Sequence, residues 1–259
     1  PPELRENTGE IEAAAKGALP KLIENTDIKG NLHLHTTWSG DGSASPVEML
    51  HAARANGFSY VAITDHASSM GMVKGIKSEN IKEYIASIRA AEKKVGGIHA
   101  LAGAEVDIEE DGSLYLSDKE LSQLDWVVAS IHSYFKQSKA EATKRLIRAI
   151  ENPYVKCIGH ATTRVVGKRP PMEFDWAPLF AAAKKHGVVF EVNASHRMDL
   201  SDVLCRQAKA AGVKLCLDSD GHSIEEFDLA LGIGVARRGW LEKNDVVNTK
   251  TWSEFSKLL

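Results

Sequence analysis

Six histidines, His33, His35, His66, His132, His160 and His222, end or closely follow short apolar runs in this sequence. On a β-strand side chains alternate between faces, so His33-Leu-His35 turns two imidazoles to one side, a spacing that can chelate one metal ion. Carboxylates accompany them. Glu105 ends the apolar run 101–104, Asp220 precedes His222 in an Asp-x-His arrangement, and Asp41 lies in Trp38-Ser-Gly-Asp-Gly42 after the first run. A carboxylate beside an apolar strand is costly unless it is paired or bound to metal. Imidazole and carboxylate donors without a thiolate cluster suit Zn, Mn or Fe(II) in a catalytic rather than a structural role. The nine candidate ligands, His33, His35, Asp41, His66, Glu105, His132, His160, Asp220 and His222, exceed what one ion can use. Two or three divalent ions are expected.

Other residues with chemistry have plainer readings. Asp65, in Thr64-Asp-His66, either orients His66 from behind or caps a strand-to-helix turn. His196, in Asn193-Ala-Ser-His-Arg197, follows an apolar run and is a candidate for touching substrate. His51, His99 and His186 fall at helix or strand-start positions and are read as ordinary. Trp38, Tyr134 and Phe135 stand where a base could stack, and rim packing is the preferred reading of all three.

These donors need a scaffold that brings strand ends together. Apolar runs alternate with amphipathic stretches, the pattern of repeated β-α units around a parallel sheet. Strands are predicted over 30–35, 60–66, 100–108, 126–132, 155–160, 188–194 and 213–218, and helices over 46–56, 79–95, 140–151, 175–186 and 200–211. Ser45-Pro46 supplies a helix cap followed by proline at the first helical position. Gly57, Gly96, Gly187 and Gly212 each close a helical stretch. The fold class expected is α/β, a closed or nearly closed (β/α) barrel of seven strands, with the metal site where the C-terminal strand ends converge. Residues 1–29 read as an N-terminal helical extension or linker, helix-prone over 11–18 and 22–24, and 30–259 as the catalytic domain.

Composition narrows the partners. Thirty-two basic against 35 acidic residues leave a net charge of −3, which is not that of a general polyanion binder. No apolar run approaches the ~20 residues that span a bilayer, so no membrane partner is expected. Cys157, Cys205 and Cys216 sit among apolar neighbours without a Cys-x-x-Cys pair, as expected of reduced thiols in a cytoplasmic protein.

The motifs His33-Leu-His35, Thr64-Asp-His66, Gly103-Ala-Glu105, Ile131-His132, Gly159-His160 and Asp218-Ser-Asp-Gly-His222 resemble those of the PHP (polymerase and histidinol phosphatase) family, in the family's order. That resemblance implies a distorted seven-stranded (β/α) barrel with a trinuclear centre that hydrolyses phosphoesters. It places His33, His35, Glu105 and Asp220 on one ion, Asp41, His66 and His222 on a second, and Glu105, His132 and His160 on a third. The chain is most similar to the C-terminal PHP domain of bacterial and archaeal family X DNA polymerases. Pro1-Pro-Glu-Leu-Arg-Glu-Asn, Gly9-Glu-Ile-Glu and His33-Leu-His-Thr-Thr-Trp-Ser39 resemble the entry into that domain. Arg164, Gly167-Lys-Arg169 and His196-Arg197 resemble its substrate-side loops. Two departures stand out: Ser39-Gly-Asp-Gly42 is one residue longer than the usual Ser-Asp-Gly, and Gly159-His-Ala161 replaces Gly-His-Pro. A polymerase core joined ahead of Pro1 is implied.

The expected chemistry is metal-assisted hydrolysis, in which divalent ions make water nucleophilic near pH 7 and hold the attacking and leaving oxygens in line. Glu105 and Asp220 carry it as ligands. Arg197 orients the phosphate, with Arg164, Lys168 and His196 as further substrate contacts. The leading expectation is a 3′-5′ exonuclease acting at DNA 3′ ends. The alternative is a phosphatase for a small monoester such as histidinol phosphate or a nucleotide. A non-catalytic module is disfavoured by the full ligand set.

Overall fold

A computed structural model describes residues 1–68 and 75–259. Its eight strands, β1 (Gly30–Leu34), β2 (Tyr60–Ile63), β3 (His66–Ala67), β4 (His99–Asp107), β5 (Trp126–Ser130), β6 (Cys157–Ile158), β7 (Val189–Asn193) and β8 (Leu215–Asp218), form one sheet. Every strand pair is parallel, in the order β1-β2-β4-β5-β6-β7-β8, with β3 also on β4. Helices α1 (Glu10–Ala15), α2 (Pro46–Ala55), α3 (Ile81–Val95), α4 (Asp118–Leu121), α5 (Lys139–Ile150), α6 (Trp176–His186), α7 (Asp202–Ala211), α8 (Ala230–Arg238) and α9 (Trp252–Phe255) complete it. β1, β2, β5, β7 and β8 are buried at every position, as strands covered on both faces must be.

Local chemistry explains where these elements start and stop. Ser45 accepts from Glu48 N while the Glu48 carboxylate accepts from Ser45 N, and Pro46 opens α2. Ser138 and Glu141 repeat the device at α5. Gly187 and Gly212 end α6 and α7 in the left-handed region, at φ 72° and 77°.

Side chains and one isolated parallel bridge, Leu34 with Gly221, rather than a continuous ladder close the sheet between β1 and β8. Leu32 N donates to Asp218 Oδ1 at 2.6 Å, and Asn31 Nδ2 donates to Ser219 Oγ at 2.8 Å. Asn248 Nδ2 donates to the carbonyls of Gly30 and Leu217, and its Oδ1 accepts from Leu217 N. One core layer lies between sheet and helices. A smaller cluster containing Leu32, Tyr60, Trp126, Val189, Val247 and Phe255 fills the barrel end that the C-terminal segment plugs.

The structure departs from the sequence expectation at several places, and α4, α8 and α9 are helices the sequence reading did not predict. The second strand is broken into β2 and β3 because Asp65 turns away to bind the 36–39 turn, so eight strand segments replace seven. The sixth strand shrinks to Cys157–Ile158. In the N-terminal segment only Glu10–Ala15 is α-helical. Leu22 instead bridges Glu242 and is buried with Ile23, while Arg237 and Arg238 pair with Glu3 and Glu6. Among the described residues no helix is long and apolar enough to cross a membrane.

Candidate metal centre

Glu105, toward the C-terminal end of β4, is the hub. Its Oε2 lies 3.4 Å from His33 Nε2, 3.5 Å from His35 Nε2 and 2.9 Å from His66 Nδ1. Its Oε1 lies 3.3 Å from His132 Nε2 and 2.9 Å from His160 Nε2. Asp220 Oδ1 closes on the first pair, 3.2 Å from His35 Nε2 and 3.5 Å from His33 Nε2. Asp41 Oδ2 lies 3.1 Å from His66 Nε2 and 3.5 Å from His222 Nε2. All nine predicted ligands therefore meet at one end of the barrel.

Each group arrives by a definable route. β1 brings His33 and His35, the β2–β3 break brings His66, and the ends of β5 and β6 lead to His132 and His160. The longer turn that carries Asp41 is accommodated by Gly40 at φ 81° and by Gly42, where a Cβ would stand 2.3 Å from Thr36 O. His160 and Asp220 take positive φ, at 23° and 53°, strain of the kind that collects at functional sites.

The donor set fits divalent ions. His33 Nδ1 lies 2.7 Å from Glu191 Oε1 and His132 Nδ1 lies 2.7 Å from Asp107 Oδ1. A carboxylate accepts, so both rings hold a proton on Nδ1 and turn the Nε2 lone pair inward. Behind His222, the Asp220 carbonyl stands 2.8 Å from Nδ1. His33 Nε2, His35 Nε2 and both Glu105 oxygens are buried without a hydrogen-bond partner. Lone pairs facing one another at 3.2–3.5 Å repel unless positive charge lies between them.

The electrostatics agree. Burial would raise the Glu105 pKa, but His132, His33 and His66 hold it well below the usual carboxylate range. Burial likewise opposes charge on His66 and His132, yet Glu105, with Asp41 or Asp107, lifts them to about 10 and about 9. His35, buried and faced by His66, drops to about 3 and offers a free lone pair. Protons thus stand in for the cations that these carboxylates demand.

The predicted substrate contacts separate. Arg197 reaches the centre, its Nε 3.8 Å from Asp220 Oδ2 and its buried Nη1 without a partner. Arg164 has two donors committed elsewhere: Nε donates to the carbonyl of Arg197 at 2.8 Å and Nη2 to that of Met198. His196 is exposed and, with Ser195, Arg197, Asp220 and His222, lines a cavity of about 510 Å³ beside the centre. Lys168 is exposed on the 165–169 hairpin. Asp65 binds Thr36 and Ser39, and Ser39 Oγ lies 3.4 Å from His35 Nδ1, so it steadies His35 rather than His66.

Sequence reasoning missed Glu191, Asp107 and Asn193, whose Nδ2 donates to Asp220 Oδ2 at 3.0 Å. Two signals were present: a lone acid inside the apolar run Val188-Val-Phe-Glu-Val192, and Asp107 two residues beyond Glu105 on the same strand face.

A family model described as PHP domain matches residues 31–195. DNA polymerase/3'-5' exonuclease PolX of Bacillus subtilis (strain 168) is 37% identical over 261 residues, covering 100% of this chain and 45% of the polymerase. The chain thus spans about half the length of that relative. A protein named "Probable phosphatase" from Thermoanaerobacter sp. (strain X514) is 29% identical over 84% of this chain and 89% of its own. Among solved structures, histidinol phosphate phosphatase from Lactococcus lactis subsp. lactis Il1403, complexed with zinc, L-histidinol and phosphate, superposes with a TM-score of 0.58. It is 18% identical, over 81% of this chain and 91% of that one.

Proposed function

Proceeding from a chain that belongs to the PHP family of metal-dependent phosphoesterases, we propose that it hydrolyses phosphodiester bonds at DNA 3′ ends, as a 3′-5′ exonuclease module of a family X DNA polymerase. The observation that carries this reading is the match of the whole chain to a polymerase/exonuclease, with five histidines on Glu105 and Asp41, Asp220 and His222 beside them. His33, His35, Glu105 and Asp220 would hold one ion, Asp41, His66 and His222 a second, and Glu105, His132 and His160 a third. Bound there, the ions would supply the acidity that makes water nucleophilic near pH 7 and the charge that stabilises the leaving oxygen.

The chain's own residues do the rest. Glu191 and Asp107 fix the tautomers of His33 and His132, so that the donor lone pairs are set before substrate arrives. Arg197, with its unpartnered Nη1, orients a phosphate beside Asp220.

A small-molecule phosphatase remains the second reading. It is favoured by the cavity beside Asp220 and His222, which also carries Glu225, Glu226 and Asp228 and would suit a compact substrate better than a polyanion. The test compares the Mn²⁺- or Zn²⁺-loaded protein on a 5′-labelled single strand and on histidinol phosphate. Stepwise shortening from the 3′ end, abolished by chelator, is expected. Rapid release of phosphate from the monoester with the strand left intact would replace the first reading by the second.

A further inference from the structure

Three loops at the metal-bearing end of the barrel differ in charge from the rest of this acidic chain. Residues 131–138 after β5, 159–172 after β6 and 194–198 after β7 carry Lys136, Arg164, Lys168, Arg169 and Arg197, and no Asp or Glu; the acids of these loops are Glu173 and Asp175 at the entry to α6 and the buried Asp199. Acidic segments flank this sector on both sides: Glu109, Glu110 and Asp111 after β4, and Glu225, Glu226 and Asp228 after β8. A polyanion approaching the centre is repelled at both flanks and attracted between them.

An aromatic ring stands in the same sector. Phe135 and Trp38 are partly buried, Phe135 beneath the Arg169 guanidinium at 4.1 Å and Trp38 edge-on to Tyr84. Tyr134 departs from the rim packing expected of it. It is 51% exposed, takes a left-handed backbone at φ 54°, and follows the ligand His132 by two residues.

Its loop is anchored from below. The buried Arg145 donates Nε to Glu109 O, Nη1 to Ser133 O and to Gln137 Oε1, and Nη2 to Ile108 O. Its guanidinium also sits 5.8 Å from the Tyr134 ring centre. An exposed ring on an anchored loop loses little entropy on binding. Among the described residues, Lys136 and Lys168 have exposed side chains with no ion pair.

We propose that the β5 and β6 loops form a binding track for single-stranded polynucleotide, with Tyr134 stacking a base and Lys136 and Lys168 taking backbone phosphates. The proposal rests on the exonuclease reading and adds the direction from which the strand reaches the centre. Every base offers a π-face and every nucleotide a phosphate, so the track would be indifferent to sequence.

The test measures fluorescence anisotropy of a 5′-fluorescein-labelled dT12 strand with the full chain in EDTA, which separates binding from hydrolysis. Tyr134→Ala should weaken binding about tenfold, and Tyr134→Trp should retain it. Lys136→Ala with Lys168→Ala should flatten the dependence of log K on log salt by about 1.4, about 0.7 for each phosphate no longer neutralised. Equal affinity of wild type and Tyr134→Ala, an unchanged salt slope in the double variant, or no binding by wild type would each overturn the track. Tyr134-dependent binding without cleavage in Mn²⁺ would leave the track standing and overturn the exonuclease reading alone.

Discussion

His33 and Glu191 stand 2.7 Å apart, Nδ1 to Oε1, on the far side of the imidazole from Glu105. The other Glu191 oxygen accepts from His160 N at 2.6 Å, so one carboxylate steadies candidate ligands from β1 and from the loop after β6. A glutamine there would keep one acceptor oxygen but present an NH₂ group to one of these two donors. Glu191→Gln is therefore expected to lower metal affinity about 10- to 100-fold. Competition against a chromophoric chelator measures this, and wild-type affinity in the variant would show that Glu191 does not govern the ligand.

Glu105 contacts five of the six clustered histidines, while His51 is exposed on α2. Glu105→Ala is expected to abolish phosphoester hydrolysis and to reduce the bound metal found by elemental analysis. His51→Ala should change neither by more than about twofold, as is usual for a surface site away from any such network. Equal losses in the two variants would contradict the division of the histidines into ligands and bystanders.

The gathering of the nine candidate ligands was legible in the sequence because most of them end or follow an apolar run, and a parallel barrel gathers the ends of such runs at one face. What lay hidden is of two kinds. Glu191, Asp107 and Asn193 act through contacts between different strands, and a single sequence does not state which strands become neighbours. Asn248 is hidden for the same reason: it sits 30 residues or more from the strands it joins, yet supplies three of the hydrogen bonds that hold β1 against β8. The break at Asp65 was hidden differently. Periodicity over 60–66 favours one continuous strand, but the Thr36 and Ser39 donors on β1's following turn bind the Asp65 carboxylate and the Tyr84 hydroxyl accepts from Asp65 N, which together pull Asp65 out of the ladder. Tertiary hydrogen bonding there outweighs local propensity.

The clustered charges predict opposite effects of pH on the metal-free and metal-loaded protein. Burial disfavours charge on His66 and His132, but Glu105 and the neighbouring aspartates raise them from 6.5 to about 10 and about 9. A raised pKa contributes stability that is fully present below about pH 6.5 and lost as pH climbs through 9 to 10. Glu105 runs the other way: its lowered pKa contributes above about 4.5 and is lost in acid. The metal-free protein should therefore be most stable between these limits and lose Tm steadily above pH 6.5. Metal ions must displace the same histidine protons, so the rise in Tm on adding Zn²⁺ should grow between pH 6 and 9. Calorimetry of chelator-treated and reloaded samples checks both slopes, and a metal-free Tm that rises from pH 6.5 to 9 would contradict the reading.

Arg164 and Arg197 are coupled through the backbone. Arg164 donates to the carbonyls of Arg197 and Met198, and Arg197 in turn leaves Nη1 unpartnered beside Asp220. On the proposed function the two arginines would therefore have different tasks, one positioning and one contacting the phosphate. Loss of a charge-assisted hydrogen bond costs about 1.5–3 kcal/mol, so Arg197→Ala should lower kcat/KM about 10- to 100-fold while metal content is unchanged. Arg197→Lys should recover only part, because an ammonium lacks the planar fork. Arg164→Ala should also lower kcat/KM, since the loop that aims Arg197 loses its tether. In the Arg197→Ala background the same change should add less than about twofold, because there is no longer a guanidinium to aim. Full additivity of the two losses in this cycle would instead make Arg164 an independent phosphate contact and overturn its positioning role.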